Sequence, residues 1–121
     1  MLPTPTLLHN PRCSKSRAAK ALLDAHSIPY RERRYLDDPL TLDELRDLAS
    51  RLARPPREWV RSGEPAYGEA GLGAQSSDTE ILTAMARHPV LIERPILICG
   101  EHAVVGRPAE RVLELVRAER Q

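Results

Sequence analysis

Cys13 is the residue in this chain best placed to do covalent chemistry. It lies in Asn10-Pro11-Arg12-Cys13-Ser14, between a short apolar run and the start of a helical pattern. A helix N-terminus presents unpaired backbone N–H groups and about half a positive charge. That field, with Arg12, Lys15 and Arg17 beside it, favours the thiolate, which is the nucleophilic form of cysteine. The same N–H groups can bind a tetrahedral oxyanion. One loop thus offers both an attacking group and a receptor for what it attacks. His9, four residues earlier, could donate to the sulfur or add charge when protonated. The plainer alternative is that Cys13 is a small buried apolar residue, as most free cysteines are. Position and charge alone leave both readings open.

The segment Cys13-Ser-Lys-Ser16 lacks the second cysteine of a C-x-x-C pair. A covalent intermediate on Cys13 must then be resolved by a thiol from elsewhere. Cys99, the only other cysteine, ends an apolar run and reads as structural. The two cysteines form neither a metal-binding spacing nor a disulfide framework.

The elements that must position these residues can be read from periodicity. Residues 6 to 9, bounded by prolines, read as a buried strand. Ala18, Ala19, Leu22 and Leu23 recur at helical spacing from Ser14 to about His26, with Pro29 beyond the end. Tyr30 to Tyr35 reads as a second strand, charged enough for an edge or a solvent face. Strand, helix and strand are long enough together for a right-handed parallel crossover. The middle is helical: Thr41 opens a capping box with Glu44 ahead of a stripe of Leu42, Leu45, Leu48 and Leu52. Pro56 can open a short helix carrying Trp59 and Val60, and Trp59 is expected to anchor the inserted helices. Residues 63 to 75 read as a loop, and Asp78 as the N-cap of a helix to Arg87 with Ile81, Leu82 and Met85 inward. Residues 95 to 99 and 102 to 105 form a hairpin across Gly100-Glu101, where Gly suits a II′ turn. Pro108 is expected to open a final helix with Val112, Leu113 and Val116 inward.

The whole chain sets wider bounds. Its 121 residues fit one domain with a proper core, 41% of them hydrophobic and 29% charged. With no Phe, aliphatic side chains must fill that core. A net charge of +1 suggests no nucleic-acid partner. No apolar run approaches the roughly 20 residues of a membrane span. The stretch Met1-Leu-Pro-Thr-Pro-Thr shows no signal-peptide pattern, so the expected compartment is the reducing cytoplasm. Lys15 and Lys20 are the only lysines, and every other cation is arginine. A GC-rich genome explains that bias overall but not where particular arginines sit. Arg31, Arg33, Arg34, Arg46, Arg51, Arg54, Arg57, Arg87, Arg111, Arg117 and Arg120 read as solvated surface cations. Arg94 and Arg107 differ, each being followed by Pro at the mouth of an element. His26 suits a helix C-terminus, His102 a hairpin turn, and His88-Pro89 the shaping of a loop.

The segment His9-Asn-Pro-Arg-Cys-Ser-Lys-Ser-Arg17 resembles the active-site segment of the glutaredoxin-dependent arsenate reductases. The resemblance continues through Arg61-Ser-Gly-Glu-Pro, His88-Pro-Val-Leu-Ile-Glu-Arg-Pro-Ile96 and Gly106-Arg-Pro-Ala-Glu110, in the family's order and spacing. It implies an α/β chain, a thioredoxin-like four-stranded mixed sheet flanked by helices. A helical insertion at about 40–90 would then separate the β-α-β and β-β-α halves of one domain, 1–121. It further implies that Cys13 attacks arsenate, that Arg61, Arg94 and Arg107 line the anion site, and that His9 helps keep the thiol ionised. Asn10, Ser14, Lys15, Ser16 and Arg17 would complete the cysteine loop, with Pro95 a cis-proline facing it. Glutathione would be the co-substrate and glutaredoxin the partner, with no bound cofactor or metal and a monomer expected. Longer family members carry a C-terminal extension beyond the position of Gln121, which should not touch the site. Two other functions fit the fold: a glutathione-dependent thiol reductase of unknown substrate, and a regulator of the Spx type that binds RNA polymerase. The Spx type senses oxidants through C-x-x-C, which Ser16 breaks here. The arginine trio argues against the other reductase.

Overall fold

Four short strands carry the chemistry-bearing loops. They are β1 (Thr6–Leu8), β2 (Arg31–Arg33), β3 (Ile96–Cys99) and β4 (His102–Val105). The computed structural model describes residues 3–120; Met1 and Leu2, which begin the N-terminal stretch read for a signal, and Gln121 lie outside it. The sheet order is β2-β1-β3-β4, with β1 parallel to β2 and the other neighbours antiparallel. This is the mixed sheet that the order of sequence patterns implies. The strand read over 6–9 stops at Leu8, although the His9 N–H still reaches the Arg33 carbonyl at 2.9 Å.

Two compact units make up the chain: residues 1–38 with 94–121, and residues 39–93. In the first, α1 (Ser14–Ala25) joins β1 to β2 and α5 (Arg111–Glu119) follows β4. Ala19 and Leu23 of α1 join Leu7, Leu97, Val112, Leu113 and Val116 in one buried cluster. Leu7 and Leu97 are cross-strand partners, so both helices pack on one face of the sheet. Ala18, counted in the apolar stripe of α1, is exposed, one position off the packed face. Ser27 closes α1 in the left-handed conformation (φ 54°), and the Ile28 N–H bonds the Leu23 carbonyl at 3.0 Å. The final helix begins at Arg111, three residues beyond Pro108, because a turn from Pro108 to Arg111 (3.1 Å) comes first.

The second unit packs α2 (Leu42–Leu52) against α4 (Asp78–Arg87), with a short α3 (Pro65–Glu69) between them in sequence. Thr41 and Glu44 form the capping box as read. At α4 the cap is Ser77 with Glu80, one residue before Asp78; both types can cap, and the three-residue spacing to Glu80 decides for Ser77. The stretch read as a loop over 63–75 contains α3, whose Pro65 stands in the first turn. Single 3-10 turns occupy Pro56–Glu58 and Pro89–Leu91. Trp59 lies just past the first of these, 1% exposed, its indole N–H donating to the Arg54 carbonyl at 3.2 Å. No described helix is long and apolar enough to cross a membrane.

Candidate active site

Strand direction decides which loops meet. Leu8 pairs with Ile96, and Ile96 with Val105. The chain leaves β1, enters β3 and leaves β4 at the same end of the sheet. That end therefore collects the Cys13 loop, Arg94-Pro95 and Arg107-Pro108. The Gly106 N–H bonds the Pro95 carbonyl at 2.8 Å, and Arg107 Nε donates to the Arg94 carbonyl at 2.9 Å. Both X–Pro bonds, Arg94–Pro95 and Arg107–Pro108, are cis. The sequence reading singled out only the first of these.

A Cβ at Gly106 would stand 3.0 Å from Pro95 and 3.1 Å from Val112, so a larger residue there would require those side chains to give way.

The cysteine loop is closed by its own backbone. The Cys13 N–H donates to the Asn10 carbonyl and the Arg12 N–H to Asn10 Oδ1, both at 3.0 Å. Arg17 reaches back to the Pro11 carbonyl at 3.0 Å. Cys13 holds the N-cap position of α1 in an extended conformation and is 8% exposed. Its thiol closes no full cap hydrogen bond, yet the first-turn N–H groups face the sulfur.

Burial pushes the Cys13 thiol pKa up, but the Ser16 N–H, the Arg94 guanidinium and the Lys15 N–H together outweigh it, so the net shift is downward. Cys99 goes the other way: burial and the nearby Glu119 raise its thiol, with Arg120 only partly offsetting them. It lies three residues along β3 from Ile96, at the opposite end of the sheet from the loop. At about 3.3 Å per residue that is on the order of 10 Å along the strand alone. A direct Cys13–Cys99 disulfide needs Cα atoms within about 7 Å, so the two cannot pair.

His9 and Ser16 are the two buried polar residues beside the loop. His9 Nδ1 lies 2.7 Å from Ser16 Oγ, and Ser16 Oγ accepts the Asn10 N–H at 3.0 Å. Burial lowers the His9 pKa, with Glu32 opposing and Lys20, Arg34 and Arg17 reinforcing, so the net shift favours the neutral ring. Its described partner is Ser16; no described hydrogen bond joins it to the sulfur.

Arg94 is half-buried and hydrogen-bonds the Cys13 sulfur. Its Nε and Nη1 are buried and make no hydrogen bond among the described residues. Arg107 is exposed at its strand end, and Ser14, Lys15 and Arg17 are exposed on the first turn of α1. Arg61 belongs to the second unit, where Glu64 pairs with it at 2.7 Å and the Val90 carbonyl accepts from Nη1 at 3.2 Å. Shallow clefts flank the cysteine loop, one lined by His9, Asn10, Arg12, Arg34 and Leu36, the other by Lys15, Arg107, Pro108 and Glu110. Among the described residues no group of three or more His, Cys, Asp or Glu is placed to hold a metal ion.

Most arginines read as surface cations are exposed or paired with acids, as in Arg51–Asp47 (2.6 Å) and Arg54–Glu58 (3.2 Å). The sequence reading missed the partnership of Ser16 with His9. Its signal was the seven-residue spacing that sets a hydroxyl one helical turn behind a strand's end.

The ArsC family model matches residues 8–115. An arsenate reductase of Neisseria meningitidis serogroup A is 42% identical over 113 residues, covering 92% of this chain and 97% of the relative. The uncharacterized protein YfgD of Escherichia coli K12 is 40% identical over 112 residues, covering 91% and 94%. The solved structure of an arsenate reductase from Vibrio cholerae superposes with a TM-score of 0.88 at 40% identity, covering 94% of this chain and 98% of that one. By sequence over nearly its whole length, and by its thioredoxin-like sheet, this chain belongs to the ArsC family.

Proposed function

We propose that the chain is an arsenate reductase in which the Cys13 thiolate attacks the arsenic of a bound arsenate. The observation that carries this reading is the thiol at the head of α1, with the Ser16 and Lys15 N–H groups and the Arg94 guanidinium turned to its sulfur. A thiolate and an arsenate anion repel by roughly 4 kcal/mol at about 4 Å and an effective dielectric of 20. Guanidinium groups offset that repulsion at any working pH and offer forked donors that match oxyanion geometry. Arg94 and Arg107 stand at the loop's end of the sheet, and the resemblance assigns Arg61 to the same task.

The reaction balances with thiols alone. Attack forms the sulfur–arsenic bond and expels one arsenate oxygen as water. A glutathione thiol then attacks the Cys13 sulfur, and the electron pair of the sulfur–arsenic bond stays on arsenic, now arsenite. Cys13 is left as a mixed disulfide with glutathione, which glutaredoxin reduces. Both electrons come from thiols, so the scheme requires no resident cofactor. It suits the reducing cytoplasm and a monomer.

The test is arsenate-dependent NADPH consumption with glutathione, glutaredoxin and glutathione reductase. Turnover is expected with the parent and none with Cys13→Ser. Full turnover by Cys13→Ser would overturn the mechanism. Turnover with another oxidised thiol substrate but not with arsenate would overturn the substrate.

A further inference from the structure

The Ser16 hydroxyl has no part in the scheme above, yet the residue is wholly buried one turn from the nucleophile. Its hydroxyl lies 2.7 Å from His9 Nδ1 and accepts the Asn10 N–H at 3.0 Å, while its own N–H faces the Cys13 sulfur. We propose that Ser16 is a positioning residue for the Cys13 thiolate, and that His9 acts on the thiol through the Ser16 hydroxyl rather than by its own contact or charge. The inference rests on the reading of Cys13 as the nucleophile.

A hydroxyl has one proton and two lone pairs. Ser16 Oγ spends a lone pair on the Asn10 N–H, so its proton is available to His9 Nδ1 when that nitrogen is bare. The neutral ring, which burial favours, supplies such a nitrogen in the tautomer that carries its proton on Nε2. A neutral ring lends no charge to a thiolate. What it lends is an acceptor that fixes the hydroxyl, and with it the place of Ser16 in the first turn of α1. Oγ is thereby tied both to the end of β1 and to Asn10, whose carbonyl and side chain already hold the Cys13 and Arg12 N–H groups. The tie keeps the Ser16 and Lys15 N–H groups aimed at the sulfur. Doubly protonated, the ring would donate from Nδ1 and turn the hydroxyl proton away.

The experiment measures the ionisation midpoint of Cys13 from the pH dependence of its alkylation by iodoacetamide, in a Cys99→Ala background so that one thiol reports. Ser16→Ala is expected to raise the midpoint, cutting the rate about five- to tenfold below the parent midpoint, one pH unit being tenfold in thiolate. His9→Leu should do the same. The double variant should be no worse than either single one. His9→Asn, whose side-chain oxygen can accept the Ser16 proton where Nδ1 does, should restore most of the parent midpoint, and it decides the matter even where Ser16→Ala fails to fold. Additive effects of the two single changes, or a His9→Asn midpoint as high as that of His9→Leu, would overturn the proposal. Alkylation needs no arsenate. Loss of arsenate turnover in the parent with midpoints moving as expected would remove the substrate reading and leave this one standing.

Discussion

Cys13 is governed by a contest between burial, which opposes its anion, and a few donors that favour it. Arg94 is the one donor that can be removed without touching the backbone. Arg94→Ala should raise the alkylation midpoint of Cys13 and lower kcat/KM for arsenate by about 2–4 kcal/mol of transition-state stabilisation, roughly a thirty- to nine-hundredfold loss. Arg94→Lys should recover only part of it, since an ammonium lacks the fork. Steady-state kinetics across pH with both variants checks this, and an unchanged pH profile for Arg94→Ala would refute it. The residue types at the loop were legible because few arrangements set a cysteine among cations at a helix entrance. What His9 touches was not legible. Sequence spacing allowed either the sulfur or the serine hydroxyl within its reach, and only the path of the chain from β1 into α1 separates them.

Among the elements, caps and turns carry the clearest predictions. Thr41→Ala and Ser77→Ala each remove an N-cap and should cost about 1 kcal/mol, read as a fall in the urea midpoint. Gly100 opens the β3–β4 turn at φ 62°, where a Cβ would stand 2.9 Å from Glu119 Oε2 while Glu119 pairs with His102. Gly100→Ala should therefore destabilise by more than about 1 kcal/mol. Lys20 of α1 holds Glu32 of β2 at 2.7 Å, and Arg34 holds its other oxygen at 2.8 Å. These cations keep the Glu32 carboxyl down at about 2, against an ordinary value near 4.5. A folded value below the unfolded one adds stability above pH 4.5 that is lost as pH falls toward 2. The pair is solvent-screened, so the stability difference between parent and Glu32→Gln should stay under about 1 kcal/mol at pH 7 and shrink by pH 3. Long elements with a clear period were readable to within two or three residues. The five-residue α3 and the single 3-10 turns were not, because one turn holds too few residues to show a period.

At the scale of the whole molecule, the direction of β3 separates the two thiols. Diamide with glutathione should load one glutathione on Cys13 and give no Cys13–Cys99 peptide by mass spectrometry. Cys99→Ala should leave turnover nearly intact. A cross-linked peptide would show that the sheet's two ends communicate in a way its register forbids. The mixed sheet was readable because two segments of matched length flank a Gly turn and a β-α-β unit precedes them, but the lateral order β2-β1-β3-β4 was not. The division at residues 38–39 and 93–94 leaves no comparable mark in composition. One rim of the sheet has a further consequence. Among the described residues β2 pairs only with β1, spans three residues and carries exposed Arg31 and Glu32. A foreign strand arriving there would find too little backbone to zip against and a row of charges to bury. Edge-to-edge pairing of one copy with another is thus disfavoured at that margin.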